Sequence, residues 1–217
     1  MAAHLSDCGV FLREFVRNFH TTGALLPSGR FLARALARFV AEPASRARRI
    51  LEVGPGTGAV TRRIVAALGA EDRLDLVELN DAFVQCLQER FQREPAFQAV
   101  AGRSRVHHCA LQDLPADGTY DLVISGLPLN NFAVGDVEQI LGVLAGLLEP
   151  GGTLSFFQYI AVRRLKAVFS GSAERERLRG IGVVLERLLS SYEVRRDWVW
   201  PNIPPAWVHH VRFAPAN

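Results

Sequence analysis

The run Ile50-Leu51-Glu52-Val53-Gly54-Pro55-Gly56-Thr57-Gly58 has the residue types and spacing to cradle a charged ligand. Apolar residues lead to a carboxylate, and three glycines then alternate with Pro55 and Thr57. Glycine takes positive φ without steric cost and lets a ligand approach the backbone closely. A helix beginning at such a turn adds N–H groups that point at whatever sits there. Glu78 closes a second apolar run, where a carboxylate can accept both hydroxyls of a ribose. Farther along, Ser125-Gly126-Leu127-Pro128-Leu129-Asn130-Asn131-Phe132 places two carboxamides after an apolar strand. A carbonyl or Asn oxygen there can accept an amine N–H and aim the nitrogen lone pair at an electrophile. Tyr159, at the end of another strand, offers a phenol that can pass on the displaced proton.

The glycine run also satisfies GxGxxG/A, with Ala59 last, so a nicotinamide dinucleotide and an ordinary strand-to-helix turn are the competing readings. Glu52 separates them. A carboxylate two residues before the loop suits the ammonium group of S-adenosylmethionine and would repel a diphosphate. S-adenosylmethionine is therefore the expected cofactor, with S-adenosylhomocysteine as product. The pattern of His107 and His108 suits strand packing, since adjacent strand residues face opposite ways and cannot share one ion. No metal site is expected.

Strand and helix patterns alternate from residue 49. Strands are expected at Arg49–Val53, Leu74–Leu79, Arg105–Ala110, Tyr120–Ser125 and Gly152–Tyr159, with helices near 57–69, 81–94 and 136–148. Glu149-Pro150-Gly151-Gly152 should end the last of these helices. A basic helical stretch, Arg163 to Leu189, precedes strands at Ser191–Trp200 and Ala206–Phe213. Apolar runs such as Asp121-Leu122-Val123-Ile124 suit a parallel sheet covered on both faces. The last two strands, joined without a helix, imply an antiparallel hairpin at the sheet edge. The expected fold is α/β and Rossmann-like, with seven strands.

Residues 1–48 read as a separate segment ahead of a 49–217 catalytic domain. Leu5, Cys8, Leu12, Phe15, Val16 and Phe19 recur at helical spacing over 5–20. A second helix follows, with Ser28 as its N-cap, an apolar face of Phe31, Leu32, Ala35, Leu36 and Phe39, and a stripe of Arg30, Arg34 and Arg38. Residues 1–50 hold eight arginines against three acids, a net of +5, although the whole chain is only +3. Two cationic amphipathic helices in a row are the pattern of a segment lying on an anionic membrane surface. The bland alternative is that their apolar faces cover the core and the arginines meet water. At 217 residues, 49% hydrophobic and 22% charged, the chain is neither disordered nor long enough for two generous domains. No apolar run approaches the length of a membrane span. Cys8, Cys86 and Cys109 lack metal-ligand spacing and are odd in number. With no basic n-region in the first ten residues, the expected location is cytoplasmic.

Taken together, Thr22-Gly-Ala-Leu-Leu-Pro-Ser28, the glycine loop, Val77-Glu78-Leu79-Asn80, Ser125–Phe132, Gln158-Tyr159 and Asn202-Ile-Pro-Pro-Ala206 resemble the bacterial phospholipid N-methyltransferases. The resemblance spans residues 22–206. It implies the class I methyltransferase sheet and stepwise methylation of phosphatidylethanolamine toward phosphatidylcholine. It also implies peripheral attachment to the inner face of the cytoplasmic membrane, with no nucleic-acid partner. Gly23 and Ser28 would belong to a lid over the cofactor. Glu52, Gly54, Pro55, Gly56, Thr57, Gly58, Glu78, Leu79, Ala110, Leu111 and Ser125 would contact it. Cys109 stands where the family places an acid for adenine, with Asp113 as the substitute. Asn130 and Tyr159 are the catalytic candidates. Leu127, Asn131 and Phe132, with Arg163 and Arg164 for the lipid phosphate, would bind substrate. Phe132, Trp198, Trp200 and Trp207 are the rings available to methylated ammonium groups. A related alternative is an RNA adenine dimethyltransferase, but that family carries an aromatic residue where Leu129 stands here.

Overall fold

Two apolar runs become strands at the residues expected of them: β1, Arg49–Val53, and β4, Tyr120–Ser125. The others are β2 (Arg73–Glu78), β3 (Ser104–His108), β5 (Leu148–Tyr159), β6 (Glu193–Val199) and β7 (Ala206–Arg212). In this computed structural model, which describes residues 29–115, 118–160, 172–200, 202 and 204–213, they form one sheet in the order β3-β2-β1-β4-β5-β7-β6. Strands β1 to β5 run parallel, and β7 lies antiparallel between β5 and β6. The strand order reverses between β1 and β4, and the crevice beyond their C-termini is where such a sheet takes a ligand. The expected helix over 5–20, and Gly23, Ser28, Arg163 and Arg164, lie outside the described residues.

Several boundaries differ from the sequence reading for local reasons. Strand β2 stops before Leu79 because Asn80 caps the next helix, α3 over Asp81–Arg93. The Asn80 Oδ1 accepts the amides of Ala82 at 2.9 Å and Phe83 at 3.2 Å. Strand β3 ends at His108, and Leu111–Asp113 form a short 3-10 turn. The helix expected over 57–69 is only Thr61–Val65, since Gly58 at φ 82° holds the preceding turn out of helical geometry. The helix before β5, Val134–Gly146, ends earlier than expected. Glu149-Pro150-Gly151-Gly152 belongs to β5, with a register irregularity opposite Tyr120 and Leu122 and Gly151 at φ 80°. The basic stretch yields a helix over Ser172–Tyr192, and β6 starts two residues later than Ser191. Chain order thus gives α1 (Arg30–Leu36), α2 (Thr61–Val65), α3, α4 (Pro95–Gln98), α5 (Val134–Gly146) and α6 (Ser172–Tyr192).

One apolar core lies on each face of the sheet. Val53, Val77, Val123 and Phe156 face Ile140, Leu144, Ile181 and Leu185 from α5 and α6. On the other face Ile50, Leu74, Phe157 and Val208 meet Leu32 and Leu36 from α1, together with Ile64 and Phe97. Leu32 and Leu36 are fully buried, so truncating either to Ala should cost about 2–5 kcal/mol. The apolar face of α1 therefore covers the sheet. Arg38 does not continue a helical stripe: it lies in a 3-10 turn past α1 and pairs with Asp197 of β6. Arg30 and Arg34 are exposed. The turn is fixed by Arg48, which donates to the carbonyls of Phe39 at 3.0 Å and Val40 at 2.9 Å and pairs with buried Asp72. No helix among the described residues is long and apolar enough to cross a membrane.

Candidate functional site

The glycine loop leaves β1 with Gly54, Gly56 and Gly58 at φ 68°, 56° and 82°. Gly54 N donates to the carbonyl of Val77 at 2.9 Å, which holds the loop over the end of β2. Glu78, the last residue of β2, completes the anchor. Its Oε2 accepts Gly56 N at 3.0 Å, and its Oε1 accepts Leu79 N at 2.8 Å and Asn80 N at 2.9 Å. Burial raises the Glu78 pKa, against which those three amides and His108 act.

Glu52 is buried inside this turn, and its Oε2 has no hydrogen-bond partner among the described residues. Burial pushes its pKa up to about 8, with a further rise from Glu78 and opposition from the hydroxyl and amide of Thr61. A carboxyl held in this state lacks a cation. A Cβ placed on Gly56 would meet nothing within 4 Å, so the loop faces open space. Beside it, Leu79, Cys109, Ala110, Leu111 and Leu127 pack into the same apolar cluster as Val53 and Val77. Burial, aided by Asp113, raises the Cys109 pKa, so this thiol sits in the apolar wall as a neutral group. An unpaired buried carboxyl, an open glycine cradle and an apolar wall fit S-adenosylmethionine. Glu52 would face its ammonium group, Glu78 its ribose and the Ala110–Leu111 wall its adenine. Thr57 is exposed at the loop crest, whereas Pro55 is buried beneath it.

The loop after β4 locks onto the glycine loop. Gly126 N donates to Val53 O at 2.8 Å, and a Cβ on Gly126 would lie 2.5 Å from Gly54 O. A Cβ on Gly54 would in turn lie 2.9 Å from Leu127 Cδ2. Ser125 is fully buried, and its Oγ accepts Leu127 N at 3.3 Å, so the hydroxyl shapes this loop. Leu129–Asn131 then form a 3-10 turn, and Phe132 is buried in the α5–α6 core. Asn130 is only 5% exposed, with an Oδ1 that has no partner among the described residues. Asn131 is half-buried. Arg177 of α6, absent from the sequence reading, grips this turn through the carbonyls of Asn130 and Phe132 while pairing with Glu174.

Tyr159 ends β5 in the core of the opposite face, with its ring edge-on to Phe157 at 5.0 Å. Burial raises its pKa, so the phenol stays protonated at neutral pH. The tryptophans do not form a cage: Trp198 and Trp200 stack on each other at 5.0 Å and 22°, and Trp207 meets Trp198 edge-on. His107 Nε2 bonds Asp75 at 2.9 Å and His108 lies against Asp81, and no cluster able to hold a metal occurs among the described residues. Asn202 was legible only as part of a motif. Its Oδ1 accepts Gly29 N at 3.2 Å and its Nδ2 donates to Pro204 O at 2.8 Å, tying the entry of α1 to the β6–β7 turn.

Residues 50–152 match the family described as "Methyltransferase domain". An ornithine lipid N-methyltransferase of Singulisphaera acidiphila is 30% identical over 151 residues, which are 70% of this chain and 77% of that protein. Among solved structures, the N-methyltransferase NodS of Bradyrhizobium japonicum WM9 in complex with S-adenosylhomocysteine superposes with a TM-score of 0.62 at 16% identity, covering 94% of this chain and 97% of that one. The O-methyltransferase TomG of Streptomyces achromogenes in complex with S-adenosylmethionine gives 0.61 at 18% identity, covering 99% and 91%. These two likenesses establish the seven-stranded fold.

Proposed function

Because this chain belongs to the S-adenosylmethionine-dependent methyltransferases, we propose that its acceptor is the amine head group of a membrane lipid. The substrate of this reading is phosphatidylethanolamine, with its mono- and dimethylated forms, converted toward phosphatidylcholine at the inner face of the cytoplasmic membrane. The observation that carries it is Asn130: a buried carboxamide oxygen without a partner, on the turn that Gly126 locks against the glycine loop. Such an oxygen accepts an amine N–H. The likeness to an ornithine lipid N-methyltransferase supports a lipid as the bearer of that amine.

The bound cofactor would supply a methyl group on a positively charged sulfur. Residues of the chain do the rest. A primary ammonium has no lone pair, so the pocket must favour the neutral amine, and the apolar surroundings of Leu127 and Leu129 do so by penalising charge. Asn130 Oδ1 orients an N–H of the primary and of the monomethylated amine. The neutral dimethylated amine has no N–H, releases no proton and is held by the apolar wall alone. Tyr159, buried in the core of the opposite face and protonated at neutral pH, is not the base, and the released proton leaves to solvent. Arg163 and Arg164, which follow β5, are the proposed partners of the lipid phosphate, and Gly23 and Ser28 remain the proposed lid. Leu129 offers no ring for stacking on a nucleobase, which disfavours an RNA acceptor.

The test is to incubate the protein with methyl-labelled S-adenosylmethionine, mixed phospholipids and total RNA, and to resolve the products. Label in mono- and dimethylated phosphatidylethanolamine is expected. Label confined to RNA, or absent from every lipid, overturns the reading.

A further inference from the structure

We infer that the tip of the β6–β7 hairpin, led by the stacked pair Trp198 and Trp200, is a surface that seats the protein on an anionic lipid bilayer. The inference rests on a lipid acceptor.

Position comes first. Strand β5 runs parallel to β1 and β4 and ends at Tyr159, which pairs with Ala206 at the start of β7. Ala206 pairs on its other side with Val199 at the end of β6. The β6–β7 turn therefore lies at the C-terminal edge of the parallel strands, the edge on which the glycine loop and the Asn130 turn open. The bond from Gly29 N to Asn202 brings the start of α1 to the same turn.

Chemistry comes second. Trp198 is 58% and Trp200 64% exposed, and Phe31 at the start of α1 is 42% exposed. Leaving two indoles and a phenyl ring in water forgoes about 25 cal/mol for each Å² of apolar surface, and rings exposed side by side mark a surface that a partner covers. The indoles stack face to face and leave no slot between them for a small ligand or a base. Indoles favour the boundary between head groups and acyl chains. Cations surround them: Arg30 lies over the Phe31 ring at 4.7 Å, Arg196 over the Trp207 ring at 5.0 Å, and Arg30 and Arg34 have no ion pair among the described residues. The arginines of edge strand β6 are already paired, Arg195 with Asp197 and Arg196 with Glu193, so the uncompensated charge beside the indoles is that of Arg30 and Arg34. That charge favours an anionic surface over a second copy. Acyl chains keep a lipid in its bilayer, so its head group reaches the Asn130 turn only when this edge rests on the membrane.

All three tryptophans of the chain lie in this hairpin, so its intrinsic fluorescence reports on this surface alone. The full chain is mixed with vesicles of phosphatidylcholine and phosphatidylglycerol carrying brominated acyl chains. Quenching and a blue shift are expected, weaker with phosphatidylcholine alone. The double variant Trp198→Ser/Trp200→Ser should sediment with the anionic vesicles roughly ten-fold less well while binding S-adenosylhomocysteine unchanged. Vesicle binding without quenching, or unchanged sedimentation of the variant, overturns the inference. So does a blue shift that grows with protein concentration in the absence of lipid, or quenching by polyuridine. Membrane quenching without methylated lipid would leave the surface standing and sink the lipid acceptor. Methylated lipid without quenching would do the reverse.

Discussion

The guanidinium of Arg177 on α6 donates from Nη2 to the backbone carbonyl of Asn130 at 2.9 Å and reaches the carbonyl of Phe132 through Nη1. Nearly fifty residues separate the partners in sequence, yet this clamp sets where the Asn130 carboxamide stands. Glu174, one helical turn back, accepts from Arg177 Nε at 2.8 Å and Nη2 at 2.7 Å and fixes the fork. The clamp makes Arg177 a positioning residue.

Replacing Arg177 by Gln should lower kcat by roughly 10- to 100-fold, the scale of an ångström-sized misplacement of a reacting group. Affinity for S-adenosylhomocysteine should stay within about two-fold, because no Arg177 contact reaches the glycine loop. Arg177→Lys should recover part of the rate, since an ammonium can serve one carbonyl but lacks the planar fork. Steady-state kinetics with calorimetric cofactor binding separates this from a general loss of fold. Equal losses in binding and kcat would contradict it.

With Glu52 as the proposed partner of the cofactor's ammonium group, cofactor binding is expected to be proton-linked. Its pKa of about 8 means that the carboxyl is mostly neutral at pH 7 in the free protein, and an ammonium ligand draws it into the ionised form. Binding at pH 7 should release close to one proton, seen as a dependence of calorimetric enthalpy on buffer ionisation heat. Above about pH 9 the carboxyl is already ionised, and the release should vanish. Glu52→Gln should abolish the release and weaken binding by roughly 100-fold. The free protein has the opposite linkage: ionising Glu52 costs stability as pH rises from 4.5 through about 8, and the Gln variant should lack that loss.

What the sequence revealed of this site follows from how local each signal is. The glycines, Glu52 and Glu78 are separated by one strand–helix–strand unit, so their pattern alone placed them together. Strands β1 and β4 were legible because both are central and carry unbroken apolar runs, Ile50-Leu51 and Leu122-Val123-Ile124. Pro150-Gly151-Gly152 reads as a helix stop by residue type, but a Cβ at Gly152 would lie 2.9 Å from Glu149 O and 3.0 Å from Tyr120 O, a constraint that depends on the neighbouring strand. Arg177 on an amphipathic helix looks like any solvated cation. Its role depends on α6 crossing the Asn130 turn, which no spacing rule encodes. The exposure of Trp198 and Trp200 was hidden for the complementary reason: composition favours burying an indole, and only the edge position of β6 leaves them outside.

The contact between Gly126 and Gly54 should be intolerant of a single methyl group. A Cβ at 126 would lie 2.5 Å from a backbone oxygen and 3.4 Å from its carbon, neither of which can swing aside. Gly126→Ala should therefore push the glycine loop and the Asn130 turn apart, costing about 1–3 kcal/mol in denaturant unfolding and weakening cofactor binding as well. Gly135→Ala, where a Cβ meets nothing within 4 Å, is the control and should leave both unchanged. Unaltered binding in the 126 variant would show that the two loops move independently.

Far from the glycine loop, His210 is expected to make the fold acid-sensitive, beside the ion-paired carboxylates Asp72, Glu193 and Asp197. It is fully buried between β5 and β6, with Nδ1 2.7 Å from Ser155 Oγ and Nε2 3.4 Å from Asp197 Oδ2, and the Phe39 ring edge-on at 4.9 Å. Burial depresses its pKa to about 4; Asp197 opposes that shift, while Arg38 and Arg195 add to it. Below its ordinary value of 6.5 the unfolded chain takes up a proton that the folded chain refuses. Stability is thus unaffected above pH 6.5, falls as pH drops toward 4, and by then should have lost about 3 kcal/mol from this residue. Buried His209, also depressed by desolvation despite its bond to Glu193, adds to the same slope. His210→Asn keeps a polar group for Ser155 but cannot titrate. Urea unfolding between pH 4 and 7 should show it less stable than the parent at pH 7, yet with a shallower decline on acidification. A decline as steep as that of the parent would place the acid sensitivity elsewhere.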